Sequence, residues 1–249
     1  MSAIEIDDLV DAGRAASLTS SVMDEFARKG TPKQREFLYE LLMAEQASRT
    51  ESRRARLLRA AKLPAMKTLD GYDFTAITFP ADYGREQLVD LDFLDHAQDL
   101  ILFGDVGTGK THLATALAVA ACRRGIPAKF FTTAGLVMQL RRAKDEGRLD
   151  KELASIAKNQ LLVIDEFGYL PIDDEGARLL FQVIADGYEK RSLVLTTNLE
   201  FKKPHMFART YVRWHRLLPG SPATWWGRCG RPGSEGCFPN PCRRPPRPA

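Results

Sequence analysis

Leu100-Ile-Leu-Phe-Gly104-Asp-Val-Gly-Thr-Gly-Lys110-Thr111-His112-Leu-Ala-Thr-Ala-Leu-Ala-Val-Ala-Ala-Cys122-Arg-Arg-Gly125 is the stretch that decides the fold. Its centre, Gly104 to Thr111, matches the phosphate-loop pattern G-x-x-x-x-G-K-[ST]. Gly104, Gly107 and Gly109 allow torsions and close approaches that a Cβ would block. The N–H groups along Gly104, Asp105, Val106, Gly107, Thr108, Gly109, Lys110, Thr111 and His112 can then turn inward as an anion-binding nest. Lys110 brings a positive charge to the β and γ phosphates, and Thr111 offers a hydroxyl to Mg²⁺. The helix that follows points its positive end at the same phosphates. The pattern arises by chance in roughly one chain per hundred of this length, so its flanks decide. An apolar β-type run precedes it, and Leu113, Leu117, Val119 and Ala120 follow at helical spacing. Strand, loop, helix is the context the pattern requires.

Working outward, Ala128 to Thr132, Leu161 to Ile164 and Ser192 to Thr197 read as further strands. Between them lie predicted helices over Ala134 to Glu146, Leu149 to Lys158 and Asp174 to Lys190. Alternation of this kind predicts an α/β fold, a three-layer P-loop NTPase domain with a parallel sheet. Ligands of such sheets sit at the carboxyl ends of the strands. Asp165-Glu166 and Asn198 also follow strand ends, so they are expected to meet the phosphate loop. Asp165 is then a candidate Mg²⁺ holder with Thr111, and Glu166 a candidate for polarising the water that attacks the γ phosphate. Asn198 is a candidate for orienting that water, and Lys110 acts on the phosphates it binds. ATP and Mg²⁺ are the implied ligands.

Hydrophobic content of 44% and charged content of 27% suit a soluble globular chain of 249 residues. Glu5, Asp7, Asp8 and Asp11 are wrong for a signal peptide, and Leu113 to Cys122 is too short to span a bilayer, so a cytoplasmic location is expected, with no membrane partner. The net charge of +4 misleads. From Lys202 onward stand ten of the 36 Lys and Arg and only one of the 32 acidic residues, leaving the tail at +9 and the first 201 residues at −5. Nucleic-acid binding must therefore rest on local patches. Cys122 reads as a packed helix residue, and Cys229, Cys237 and Cys242 fit no common zinc spacing.

Residues 1–66 read as helices, with Ile6 to Phe26 and Lys33 to Ala47 amphipathic and Thr31-Pro32 a helix start. A run of basic residues follows, including Arg53, Arg54 and Arg56; a solvated helix face and a face against DNA phosphates both fit it. Residues Lys67 to Phe93 form a connector with Tyr72, Phe74 and Phe79 that either packs near a base or simply covers the core. From Lys202 the chain holds all three Trp and nine of the 14 Pro and reads as irregular. The expected division is a helical DNA- or partner-binding region over 1–66, an ATP-binding domain over 67–201, and an irregular basic tail over 202–249.

With these residues assembled, Gly104 to Ala114, Leu161 to Gly168 and Arg191 to Asn198 resemble the ATPases of the AAA+ superfamily, and more narrowly the IstB-type helper ATPases of insertion-sequence transposition. DnaC-type helicase loaders are close relatives. The resemblance runs from about Arg49 to Phe201. It implies ATP-dependent homo-oligomeric assembly on double-stranded DNA and cooperation with a transposase in target selection; a loader role with a replicative helicase, or a non-catalytic nucleotide-binding module, are the alternatives. It also implies that the helix after the second strand faces DNA, which here points to Arg141, Arg142 and Lys144. The chain departs from the pattern after Asn198. No helix with an Asp-Arg pair and no fifth strand is legible, Arg209 and Arg213 do not match the arginine that reaches a neighbour's ATP, and the tail looks frame-shifted. An exposed sheet edge and impaired ATP hydrolysis are the expected consequences.

Overall fold

Leu161 to Asp165 is buried at every position, the mark of a strand covered on both faces. Its side chains feed two separate cores. Leu161 and Val163 pack with Leu100, Leu102, Leu113, Leu117, Phe130 and Val194 on one face. Leu162 and Ile164 pack with Leu136, Leu140, Leu179, Leu180 and Val183 on the other. The computed structural model of the chain describes residues 4–80, 83–169, 171–198 and 225–229.

The helices α1 (Ile6–Ala15), α2 (Ser20–Lys29) and α3 (Pro32–Ala61) come first. A short stretch follows with β1 (Ile77–Thr78), α4 (Arg85–Val89) and α5 (Asp92–Asp95). Next come β2 (Leu100–Gly104), α6 (Lys110–Arg123), β3 (Ala128–Thr132), α7 (Thr133–Asp145), α8 (Leu149–Ala157), β4 (Leu161–Asp165), α9 (Asp174–Ala185) and β5 (Ser192–Thr197). The last described element is β6 (Trp225–Cys229). The sheet order is β1-β6-β2-β5-β4-β3, parallel except for the β1–β6 pair. The register sets Leu102 opposite Thr196 and Ile164 opposite Leu195. This brings the carboxyl ends of β2, β4 and β5 to one edge.

The structure corrects two expectations. The segment Ile6 to Phe26 is not one helix: Ser17 takes a left-handed backbone (φ 65°) and the chain turns into α2. Gly13 permits the tight α1–α2 approach, because a Cβ there would lie 2.6 Å from Met23 Cγ. The tail is not irregular throughout, and the sheet does not lack its fifth parallel strand. Trp225–Cys229 pairs in parallel with β2 and antiparallel with β1. Trp and Cys at strand positions meet an edge of β2 whose N–H and C=O groups need partners. Five residues flanked by Gly and Pro give too short a pattern to read in advance. The remaining tail expectations, including Arg209 and Arg213, fall outside the described residues.

The helix α3 has 30 residues, about 45 Å of rise. Thr31 and Gln34 close a capping box at its start, with Pro32 at the first position. Its first half packs through Leu38 and Leu42 on α1 and α2, while Leu57, Leu58 and Ala61 pack on the sheet's core. Two basic side chains tie its end down. Lys129 Nζ donates to Ala60 O (2.7 Å) in the last turn of α3, and Arg53 donates to Gly125 O (3.2 Å) in the turn after α6. Among the described residues no helix is long and apolar enough to cross a membrane.

Asp99 sits at the opposite end of the sheet from the phosphate loop. It accepts a bond from Leu193 N–H (2.9 Å), and burial pushes its carboxyl up to about 6 despite Arg191 nearby. A raised folded-state value means the folded chain holds a proton that the unfolded chain releases. This group therefore takes stability away as pH rises from about 4 to 6. Asp99→Asn keeps an acceptor and removes the buried charge. Compared with wild type in urea titrations, it should gain up to about 3 kcal/mol across that window and hold the gain above it. Parallel stability curves from pH 4 to 7 would contradict the assignment.

Candidate nucleotide site

The loop between β2 and α6 owes its shape to Gly107 (φ 82°) and Gly109 (φ 86°), both left-handed. Gly109 carries a second constraint, since a Cβ would stand 3.2 Å from the Tyr72 hydroxyl. Tyr72 reaches over from the connector, 3.4 Å from Gly109 O, with its ring 5.2 Å from that of His112. The connector thus packs on the core, through Leu69, Tyr72, Phe74, Ile77 and Phe79, and also braces the back of the loop. His112 Nε2 lies 3.3 Å from Thr68 O and belongs to the same brace. Val106 stands at the crest, 81% exposed, while the Thr108 hydroxyl closes the turn on Asp105 O (2.8 Å).

Lys110 folds its side chain under the loop. Its ammonium donates to Gly104 O (2.8 Å) and Asp105 O (2.6 Å), with Thr108 Oγ1 at 3.4 Å. A buried ammonium on carbonyl partners is matched to an anion arriving above the loop, because phosphate oxygens are stronger acceptors for the same hydrogens. The Thr111 hydroxyl points at Asp165, 3.0 and 3.1 Å from its two carboxylate oxygens. One hydroxyl and one carboxylate are hard oxygen donors, the set that Mg²⁺ takes alongside phosphates and water. Among the described residues no cluster of three or more His, Cys, Asp or Glu forms a self-sufficient metal cage. Thr111 and Asp165 fit a Mg²⁺ whose remaining ligands are phosphate and water oxygens.

Asp165 is buried (5% exposed) and Glu166 is exposed. Glu166 takes a left-handed backbone (φ 57°), unusual for a residue with a Cβ. It opens on a cleft of about 280 Å³ between α7 and the loop before α9, so water reaches its carboxylate. Two residues that the motifs do not name hold this turn. Thr133 Oγ1 donates to Asp165 O (2.9 Å). Thr196 bonds the Asp165 carboxylate through its hydroxyl, and the same oxygen accepts Glu166 N–H (3.1 Å). Neither has a sequence signal beyond its place at a strand end. Asn198 follows two residues after Thr196, half-buried, at the same end of β5.

The predicted DNA-facing side chains fare differently. Arg141 pairs with Asp173, Arg142 with Glu146 (2.7 Å) and Lys144 with Glu175. Arg54 lies 3.8 Å from Glu51, and Arg53 is used at Gly125. Arg56 is exposed with no carboxylate partner among the described residues, as is Arg59 one turn on.

Residues 12–210 match the family model of IstB-like ATP-binding proteins. The chain belongs to that family. An ATP-binding protein of insertion sequence IS5376 from Geobacillus stearothermophilus is 40% identical over 181 residues, 73% of this chain and 72% of the relative. One of insertion sequence IS21 from Pseudomonas aeruginosa is 37% identical over 184 residues, 73% of this chain and 68% of the relative. The structure of AMPPCP-bound DnaA from Aquifex aeolicus aligns with a TM-score of 0.51 at 18% identity, over 63% of this chain and 49% of that one. That likeness establishes the fold, a P-loop domain with helices on both faces of a parallel sheet. This IstB-like chain carries its five parallel strands, numbered from β2 along the chain, in the order 5-1-4-3-2. The strand in the outer position beside the first is β6, from the tail.

Proposed function

We propose that this IstB-like chain binds ATP with Mg²⁺ and hydrolyses it to ADP and phosphate while engaged on double-stranded DNA, as a helper to a transposase in insertion-sequence target selection. The observation that carries the enzymatic part is the contact of Thr111 with Asp165 beside the Lys110 loop, with Glu166 the exposed residue directly after Asp165. The names of the insertion-sequence relatives support the biological setting. In this reading Gly104 to His112 cradle the triphosphate, Lys110 bonds its β and γ oxygens, and Thr111 and Asp165 hold Mg²⁺, which supplies charge neutralisation on the phosphates. Glu166 accepts a proton from the attacking water, and Asn198 orients it. Residues 67–201 carry this site, 1–66 serve DNA or the protein partner, and the chain works in the cytoplasm; the homo-oligomeric assembly that the family resemblance implies is not required for the slow turnover expected here.

For DNA, the ion pairs favour one of the two candidate faces over the other. Arg141, Arg142 and Lys144 already face carboxylates, and a phosphate must displace these before it gains anything. The exposed side of α3 with Arg56 and Arg59 has no such competitor among the described residues. Reversal of both to Glu should weaken duplex binding and flatten the salt slope by about 0.9 per lost phosphate contact; Arg142→Glu should leave the slope near wild type. The comparison uses full-length proteins, because the +9 tail adds the same slope to each and also contains β6. Equal slopes for the α3 reversal and wild type would remove α3 from the interface.

A further inference from the structure

We propose that Thr196 is the positioning residue of the hydrolytic centre, a single side chain on β5 that sets both members of the Asp165-Glu166 pair. The proposal rests on the ATPase reading above. Thr196 makes a bond to each of the next strand's last residue and the two that follow it. Its hydroxyl donates to the Asp165 carboxylate, its oxygen accepts Glu166 N–H at 3.1 Å, and its carbonyl accepts Phe167 N–H at 2.8 Å. It is 2% exposed, so no water substitutes for these bonds.

Each bond has a separate consequence. The first fixes the rotation of the Asp165 carboxylate, whose two oxygens also meet the Thr111 hydroxyl. A carboxylate held at one oxygen by a buried donor presents its remaining lone pairs in one direction, toward Thr111 and the metal position. The second and third bonds hold Glu166 in its left-handed backbone (φ 57°), a conformation costing on the order of 1–2 kcal/mol for a residue with a Cβ. Released from the hydroxyl, Glu166 is free to relax toward ordinary extended backbone, which redirects its carboxylate. Asn198 lies two residues further along the same strand. The hydroxyl of Thr196 therefore locks the water-orienting residue and the water-polarising residue to one another.

The site's remaining polar contacts do not replace it. Thr133 bonds only the Asp165 carbonyl, and Thr111 meets the Asp165 carboxylate but makes no bond to Glu166. Outer-shell partners of metal ligands typically cost 10- to 100-fold in metal affinity or activity when removed. Thr196→Val keeps the volume and β-branching and removes only the hydroxyl.

The test compares wild type, Thr196→Val and Thr196→Ser. Affinity for ATP is measured by calorimetry in EDTA and in Mg²⁺, and turnover by phosphate release. The valine variant should bind ATP in EDTA within about twofold of wild type. It should lose most of the extra affinity that Mg²⁺ confers, and kcat should fall 10- to 100-fold with little change in KM. The serine variant should restore both. If Thr196→Val does not fold, Thr196→Ala takes its place. Mg²⁺-enhanced affinity and kcat equal to wild type in the hydroxyl-free variant would overturn the proposal, as would a serine variant no better than valine. A wild-type chain that binds MgATP yet never releases phosphate would instead defeat the ATPase reading, and the Mg²⁺-dependent affinities would still decide the role of Thr196.

Discussion

Lys110→Ala is expected to weaken ATP binding by about a hundredfold or more. The ammonium is the buried charge of the loop, 9% exposed and held 2.6–2.8 Å from the Gly104 and Asp105 carbonyls. In the proposed reading it exchanges those neutral acceptors for phosphate oxygens of full charge, so its contribution is expected only when the nucleotide is present. Truncating one member of a buried, hydrogen-bonded charge pair costs about 2–5 kcal/mol, and each 1.4 kcal/mol is tenfold in affinity. The fold should survive. The hydrophobic clusters on both faces of the sheet do not include Lys110. Calorimetry with MgATP beside a thermal melt separates the two effects. A variant that melts like wild type and binds ATP as tightly would sink the site assignment; a variant that has unfolded would be replaced by Lys110→Met, which keeps the stem.

The strands β2 to β5 were legible to within a residue because each is a short, largely apolar run bounded by turn residues, and β4 and β5 are buried at every position. Leu161 to Ile164 reads as a strand with no structural help. The loop was legible because its constraints are local: positive φ at Gly107 and Gly109 needs residues without a Cβ, and the sequence supplies them. What escaped was set by distant partners. The ion pairs of Arg141 with Asp173 and Lys144 with Glu175 join residues about thirty positions apart, so the helix face that looked basic is largely neutralised. Thr196 looks like any β-branched strand residue until β4 is laid beside it. The strand β6 lies 27 residues beyond the end of β5, and its identity comes from the edge it completes. The α1–α2 break was hidden because Gly13 acts through contact with Met23, which periodicity does not register.

Glu166→Gln should separate binding from hydrolysis. Glu166 is exposed on the cleft and makes its fixed contacts through the backbone, to Thr196, so the amide side chain fits the same space and leaves the turn intact. Asp165, which with Thr111 would hold the metal, is untouched. ATP affinity in Mg²⁺ should therefore stay within about threefold of wild type, a change of under 1 kcal/mol. The lost function is proton acceptance from the attacking water, a contribution of about 10²- to 10⁴-fold. The wild-type rate from which this loss is measured should itself be low. Transition-state charge on the γ phosphate is neutralised in related systems by an arginine from across a subunit boundary, worth about 10³- to 10⁵-fold. Among the described residues after β5 there is Arg228 alone, placed in β6 with a backbone register to Phe103 of its own chain. Slow basal release with little stimulation by duplex DNA is the expected wild-type behaviour, and loss of even that release in Glu166→Gln is the expected variant behaviour. Strong DNA-stimulated turnover that disappears on mutating a tail arginine would show that the tail supplies the missing charge. Undiminished turnover in Glu166→Gln would move the proton acceptor elsewhere, and Glu166 would then be an exposed carboxylate in a strained turn with no part in the chemistry.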